Sequence, residues 1–289
     1  MSATVSNGGD FGVGGPTRVH PWFNLSGYFA LFTATVRRLL RVPRLVSLGL
    51  LFLMPTLIVL LAQTQGAIDR APEIEFAMMF VFVPTAIVPF TALIFASGLV
   101  QDEVEEQTLT YLMMRPIPRA SIYVVKLLAS VAVTAVLATV CTVINEAVIY
   151  AREPIPSGDF PTHVARLVVL YCVTLVAYNA IFGLVGLFFK KSLPIGVAYI
   201  ILFEGVLATI PFVFRKFTVV YYFRALAEDW FGGNAEVSRN LSEGWAMGSD
   251  APDATTAILT LLSTSLVCMI IGGYLLTVRE LRVKTPETT

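Results

Sequence analysis

The segment Gln101–Lys126, QDEVEEQTLTYLMMRPIPRASIYVVK, concentrates charge where the surrounding chain has almost none. Asp102, Glu103, Glu105 and Glu106 open it, and acidic residues favour a helix N-terminus through the macrodipole. Leu109, Leu112 and Met113 follow at i, i+3 and i+4 and form one apolar face. Arg115 and Arg119 bracket Pro116, Ile117 and Pro118, and the prolines end the helix. A short helix with acidic and basic ends is chemistry for docking a soluble protein. It is not chemistry for catalysis. Lys126 falls one to two turns inside the next apolar run, where its stem can snorkel toward the polar face.

Three further polar residues interrupt apolar runs. Glu204 falls near the middle of one, where a carboxylate costs ~2.5–3.5 kcal/mol unless it is protonated, paired or hydrated. It either lines a translocation path or pairs with a polar residue on a neighbouring helix, such as Asn179. Asn145 and Glu146 share a helical sector with Thr139 and Thr142. That sector either faces a cavity or ends at the outer interface, where Arg166 is a candidate partner for Glu146.

Several chemistries are excluded. No GxxxxGK[ST] sequence follows an apolar strand, so the chain has no P-loop with which to hydrolyse ATP. The pair Glu105-Glu106 has Thr110 where a Glu-Glu-x-x-x-Arg protease needs Arg, and neither HExxH nor GxSxG occurs. Cys141, Cys172 and Cys268 lie in apolar runs, and His20 and His163 are the two histidines. No ligand set with metal-site spacing results, so no cofactor or metal is expected on this chain. Met78, Met79, Met113 and Met114 read as packing rather than a copper site.

The elements that must position these residues are membrane spans. Of 289 residues 56% are hydrophobic and 14% charged, against about 25% charged in a soluble domain. Mean hydropathy is +0.76. With 20 basic and 20 acidic residues there is no overall pull toward nucleic acid. Six apolar runs approach the ~20 residues a spanning helix needs: Leu45–Ala62, Phe76–Val100, Ser121–Tyr150, Val164–Phe189, Leu193–Phe214 and Ala254–Val278. With both termini inside, most basic residues, including Arg37, Arg38, Arg41, Arg44, Arg115, Arg119, Lys190 and Lys191, fall on the cytoplasmic side.

Residues 1–24 carry no apolar signal-peptide core and read as a flexible tail, as do residues 285–289. Residues 25–41 form an amphipathic helix lying in the interface, with Tyr28, Leu31, Phe32 and Leu39 on one face around Thr35, and Pro43 breaks it. Residues 215–253 form the longest outer loop, with interfacial or re-entrant helices up to Phe231 and a turn at Gly232–Gly233–Asn234.

The loop pattern resembles the cytoplasmic loop of ABC-2 type ABC-transporter permeases. There Glu-Arg-Glu-x-Gly-Thr-Leu is followed by a short apolar stretch, by Pro-x-x-Arg, and by a Lys in the next span. Here Glu103, Glu105, Thr108, Leu109, Pro116, Arg119 and Lys126 match, while Val104 stands for the usual Arg and Gln107 for the usual Gly. The resemblance covers roughly residues 25 to 284 and implies the following. The fold is an all-α polytopic permease of six spans with an interfacial helix, in the ABC-2 (type V exporter-like) architecture. Segment 101–119 couples to cytoplasmic ABC ATPase subunits through Glu103, Glu105, Glu106, Thr108, Leu109, Pro116 and Arg119. ATP and Mg²⁺ are held by that partner. A second permease copy or paralogue completes the transporter in a bacterial inner membrane, both termini being cytoplasmic. Glu204, Asn145 and Glu146 are the candidates for the path. A membrane scaffold or passive channel is the rival reading. The substrate is not legible.

Overall fold

The computed structural model describes residues 25–40, 42–64, 71–105, 118–151, 159–189, 191–207, 213–232 and 252–278. Among these, all regular structure is helical. In chain order the α-helices are α1 (Leu25–Leu39), α2 (Val42–Phe52), α3 (Met54–Thr64), α4 (Ala71–Glu75), α5 (Val88–Glu105), α6 (Arg119–Ile149), α7 (Phe160–Phe188), α8 (Ser192–Tyr199), α9 (Val219–Phe231) and α10 (Ala254–Val278). π-Helical segments Phe76–Ile87 and Ile200–Val206 continue α4 into α5 and extend α8.

Four helices are long and apolar enough to cross a membrane: Glu73–Leu99, Ala120–Ile149, Phe160–Phe188 and Ala254–Val278. The other two expected spans are shorter, at Leu45–Leu61 and Ser192–Val206. The first matches the expected run to within one residue and turns at Leu53 between α2 and α3, next to Pro55, which lacks a backbone donor. The fifth is described as helix to Val206, residues 208–212 lie outside the described residues, and a 3₁₀ turn at Val213–Phe217 follows.

The π segment before α5 also has a sequence cause. Pro84 and Pro89 each lack an N–H and crowd the carbonyl four residues back. The wider turn relieves the second of these, and the Val88 N–H donates to Val83 O, five residues back.

Helix α7 is the hub, packing against α5, α6, α8, α9 and α10. Its buried face includes Leu167, Tyr171, Leu175, Tyr178, Phe182, Gly183 and Gly186. A helix apolar all round suits a bundle interior bounded by lipid. Helix α1 packs against α6, with Leu31, Thr35 and Leu39 buried at i, i+4 and i+8.

Small residues set the closest approaches, as membrane helix packing requires. A Cβ on Gly272 would lie 2.7 Å from the Tyr123 hydroxyl oxygen, and that ring is buried between α10 and α6. A Cβ on adjacent Gly273 would meet Ala120 Cβ at an ordinary 3.5 Å. The two neighbours should therefore respond with opposite sign. Gly273→Ala gains up to ~1 kcal/mol of helix propensity, whereas Gly272→Ala loses ~1–3 kcal/mol to overpacking. Thermal unfolding of the two purified variants ranks them, and the reverse order would refute the packing account.

Candidate functional site

The acidic segment divides between described and undescribed residues. Helix α5 carries the backbone through Glu103 to Glu105, and Arg119 opens α6. Glu106, Thr108, Leu109 and Pro116 lie outside the described residues. Lys126 does not reach for a polar surface as expected. It is 2% exposed and donates from Nζ to Leu99 O at 3.1 Å. A buried ammonium must find acceptors, and this one ties the first turns of α6 to the last turns of α5. The two helices that carry the segment are thereby joined at its base.

The opposite end of the bundle holds a second polar group. Glu75 closes α4, Glu146 falls in the last turn of α6, and His163 falls in the first turn of α7. All are buried, at 1%, 0% and 2% exposure. His163 Nε2 lies 2.7 Å from Glu75 Oε1 and 3.8 Å from Glu146 Oε2. The Tyr150 hydroxyl donates to Glu75 Oε2. Neither oxygen of Glu146 has a hydrogen-bond partner among the described residues. The imidazole is held edge-to-face by Tyr150, at 5.9 Å between ring centroids, and by Phe231 of α9 at 5.1 Å. Glu146 thus faces His163. Arg166, the partner suggested by sequence spacing, donates instead to Trp230 O at 3.1 Å.

Asn145 turns toward α2 and α3. Its Nδ2 donates to Phe52 O at 3.2 Å, and its Oδ1 accepts from the Thr56 hydroxyl. The Phe52 carbonyl is left over where α2 ends, so Asn145 satisfies a helix terminus that the break would otherwise orphan. Thr142 is buried beside this sector. The polar face of α6 therefore points into the protein's own packing.

Glu204 lies in the π segment after α8, with 0% of its surface exposed. Its Oε1 and Oε2 accept from the backbone N–H groups of Val219 and Val220, both at 3.1 Å. Those are the first two residues of α9. A carboxylate on a helix N-terminus satisfies orphan donors and meets the positive end of the dipole. Thr218 adds its hydroxyl to Tyr221 N at 3.3 Å, and the Tyr199 hydroxyl reaches Glu204 at 3.4 Å. Asn179, the suggested partner, is occupied elsewhere. It accepts from Ser130 Oγ at 2.7 Å and donates to Thr134 Oγ1 at 3.1 Å.

Sequence reasoning singled out Glu146 but missed Glu75, Tyr150 and His163. Glu75 and His163 each fall one residue outside an apolar run, at Phe76 and Val164. Both mark the start of a span, and the end of the intervening span carries Glu146. Antiparallel spans bring such starts and ends to one face, and that was the available signal.

The sequence model of a family described as ABC-2 family transporter protein matches residues 41–205. No curated protein matches the chain.

Proposed function

The chain belongs to the ABC-2 family of transporter proteins and is a multi-pass membrane permease component of an ABC transporter; from that premise we propose that it is the membrane half of an ATP-driven exporter. ATP and Mg²⁺ sit on separate cytoplasmic ATPase subunits, and a second permease copy or paralogue faces this one across the path. Both termini are cytoplasmic, the membrane is a bacterial inner membrane, and α1 lies along its inner face. The shorter helices Leu45–Leu61 and Ser192–Val206 complete six crossings by local thinning of the bilayer.

The observation that carries this reading is the Lys126–Leu99 bond at the base of the acidic segment. A docking helix transmits motion only if the spans on either side of it move as one body. Glu103, Glu105, Glu106 and Arg119 supply the charges for the docked ATPase. Thr108, Leu109 and Pro116 shape the element between them. Nucleotide-driven closure of two ATPases would then push α5 and α6 together and switch access between the permeases. The complete burial of Glu204, Asn145 and Glu146, and the bonds of the first two to helix ends, favour structural roles over path lining. Exposed apolar residues on α10, such as Leu259, Ile270 and Tyr274, suit lipid or the second permease.

Co-purification tests the proposal. The chain, gently solubilised from its native host, should bring down an ABC ATPase. The triple variant Glu103→Gln, Glu105→Gln, Glu106→Gln should lose most of that ATPase while retaining the wild-type Tm. If wild type brings down no ATPase, or the triple variant brings down as much, the coupling assignment fails.

A further inference from the structure

Two carboxylates and one imidazole, from three different helices, converge with no water-exposed surface between them. The ligating atoms of Glu75, Glu146 and His163 all lie within 4.8 Å of one another. A hydrogen-bonded knot would satisfy each group. This one does not, because both oxygens of Glu146 are unpartnered among the described residues while the side chain faces His163 Nε2 at 3.8 Å. The charge count is also unbalanced, since the imidazole offers at most one positive charge against two carboxylates. Buried charges are paired, neutralised by a proton or bound to a metal, and a metal is the one of these that also uses the unpartnered Glu146 carboxylate and His163 Nε2 as donors.

We propose that Glu75, Glu146 and His163 bind a divalent zinc-type cation that clamps the ends of α4, α6 and α7 together. Two carboxylates, a neutral imidazole and a divalent cation sum to zero charge, the composition best suited to burial. The donor set is the His/Glu mixture that Zn²⁺ accepts. It is poor for Ca²⁺, which takes 6–8 oxygens, and for Mg²⁺, which keeps several waters. Tetrahedral donors about 2.1 Å from a zinc ion stand roughly 3.4 Å apart. The observed 2.7 and 3.8 Å for the two His–Glu pairs bracket that spacing, and the donor oxygens of Glu75 and Glu146 lie within 4.8 Å of each other. The second shell is in place: the Tyr150 hydroxyl donates to Glu75 Oε2, and Tyr150 and Phe231 fix the imidazole plane. Three protein donors fill three of the four positions of a tetrahedral ion and leave the fourth to water. The assignment departs from the expectation of a metal-free chain, which rested on ligand spacing along the sequence. It does not depend on the transported cargo or on the ATPase partner.

The test uses the full chain in detergent, dialysed against EDTA and then titrated with Co²⁺ and Zn²⁺. Wild type should develop visible Co²⁺ bands that saturate at one ion per chain and are displaced by Zn²⁺, with a rise in Tm on metal addition. Glu146→Gln keeps the side-chain volume and should abolish the saturable spectrum. Tyr150→Phe leaves all three ligands and should weaken binding by about 10–100-fold. The wild-type titration decides the question even where a variant fails to fold. Absence of a one-equivalent Co²⁺ spectrum in wild type, or unchanged binding in Glu146→Gln, overturns the assignment.

Discussion

Replacing Glu204 with alanine is expected to lower the stability of the purified chain by about 3 kcal/mol, since it leaves two buried backbone donors without an acceptor at about 1–3 kcal/mol each. Several terms compete. A carboxylate at the centre of a span costs ~2.5–3.5 kcal/mol by insertion scales, an upper bound for Glu204, which lies two residues from the end of the helix Ser192–Val206. Against this stand two hydrogen bonds to an ionised acceptor, worth about 1.5–3 kcal/mol each, and a helix N-terminus, worth up to ~2 kcal/mol in partly buried geometry. The favourable terms win because one side chain meets Val219 N and Val220 N together at 3.1 Å. Alanine removes all of them and leaves both donors without an acceptor. Glutamine should cost about half as much, since its single carbonyl oxygen serves one donor well and its amide nitrogen opposes the other. Thr218 would still cap Tyr221 N, so α9 should loosen at its first turn rather than melt. Tryptic cleavage after Arg215 and Lys216, in the 3₁₀ turn just before α9, should therefore accelerate more than overall unfolding does. A Glu204→Ala variant with wild-type Tm and cleavage rate would remove the anchoring account.

The legible and illegible parts of this chain divide along a physical line. Span existence followed from apolar length: the last expected span, Ala254–Val278, matches the observed helix end for end, because nothing in it interrupts the 3.6-residue ladder. Runs with internal breakers were misjudged in regularity rather than in extent. The first keeps its expected ends to within a residue but turns at Leu53 ahead of Pro55, and the fifth passes from an α-helix into a π segment at Ile200. Composition counts such residues as compatible with a span, whereas geometry decides whether the helix continues through them. The partners of the polar residues were illegible for a different reason. Glu146 and His163 are neighbours only because α6 and α7 are antiparallel. Glu204 meets backbone N–H groups, which every residue but proline carries and which leave no mark in a sequence. A partner search restricted to side chains chose Arg166 and Asn179, and the protein uses His163 and the start of α9.

Gly186→Val should be the most damaging single change in the bundle, costing about 3 kcal/mol or more and uncoupling any docked ATPase. A Cβ at this position of α7 would collide with the Ser97 carbonyl oxygen and lie 3.0 Å from Ser97 C and Cα. The obstacle is backbone in the middle of α5, so no rotamer change relieves it. Alanine gains ~1 kcal/mol of helix propensity over glycine, but overpacking costs ~1–3 kcal/mol even where side chains can adjust, so Gly186→Ala should already be net destabilising. Valine adds two methyl groups at the same place. Gly183 supplies the contrast, because its Cβ would meet side-chain atoms rather than backbone, Leu127 Cδ1 at 2.9 Å and the Tyr123 hydroxyl at 3.0 Å, and alanine there should be milder. The functional consequence follows from what α5 carries. One turn before Ser97 it is held as closely by α8, where Gly196 sits against the Leu93 side chain, and its last turns lead into the acidic segment. Forcing α5 off α7 tilts the helix that positions Glu103 and Glu105, since a packed helix moves as a rigid body rather than bending. Tm and cargo-stimulated ATPase activity of the reconstituted complex should therefore fall together in Gly186→Val. Wild-type values of both would show that the α5–α7 seam tolerates separation and that motion reaches the docking segment by another route.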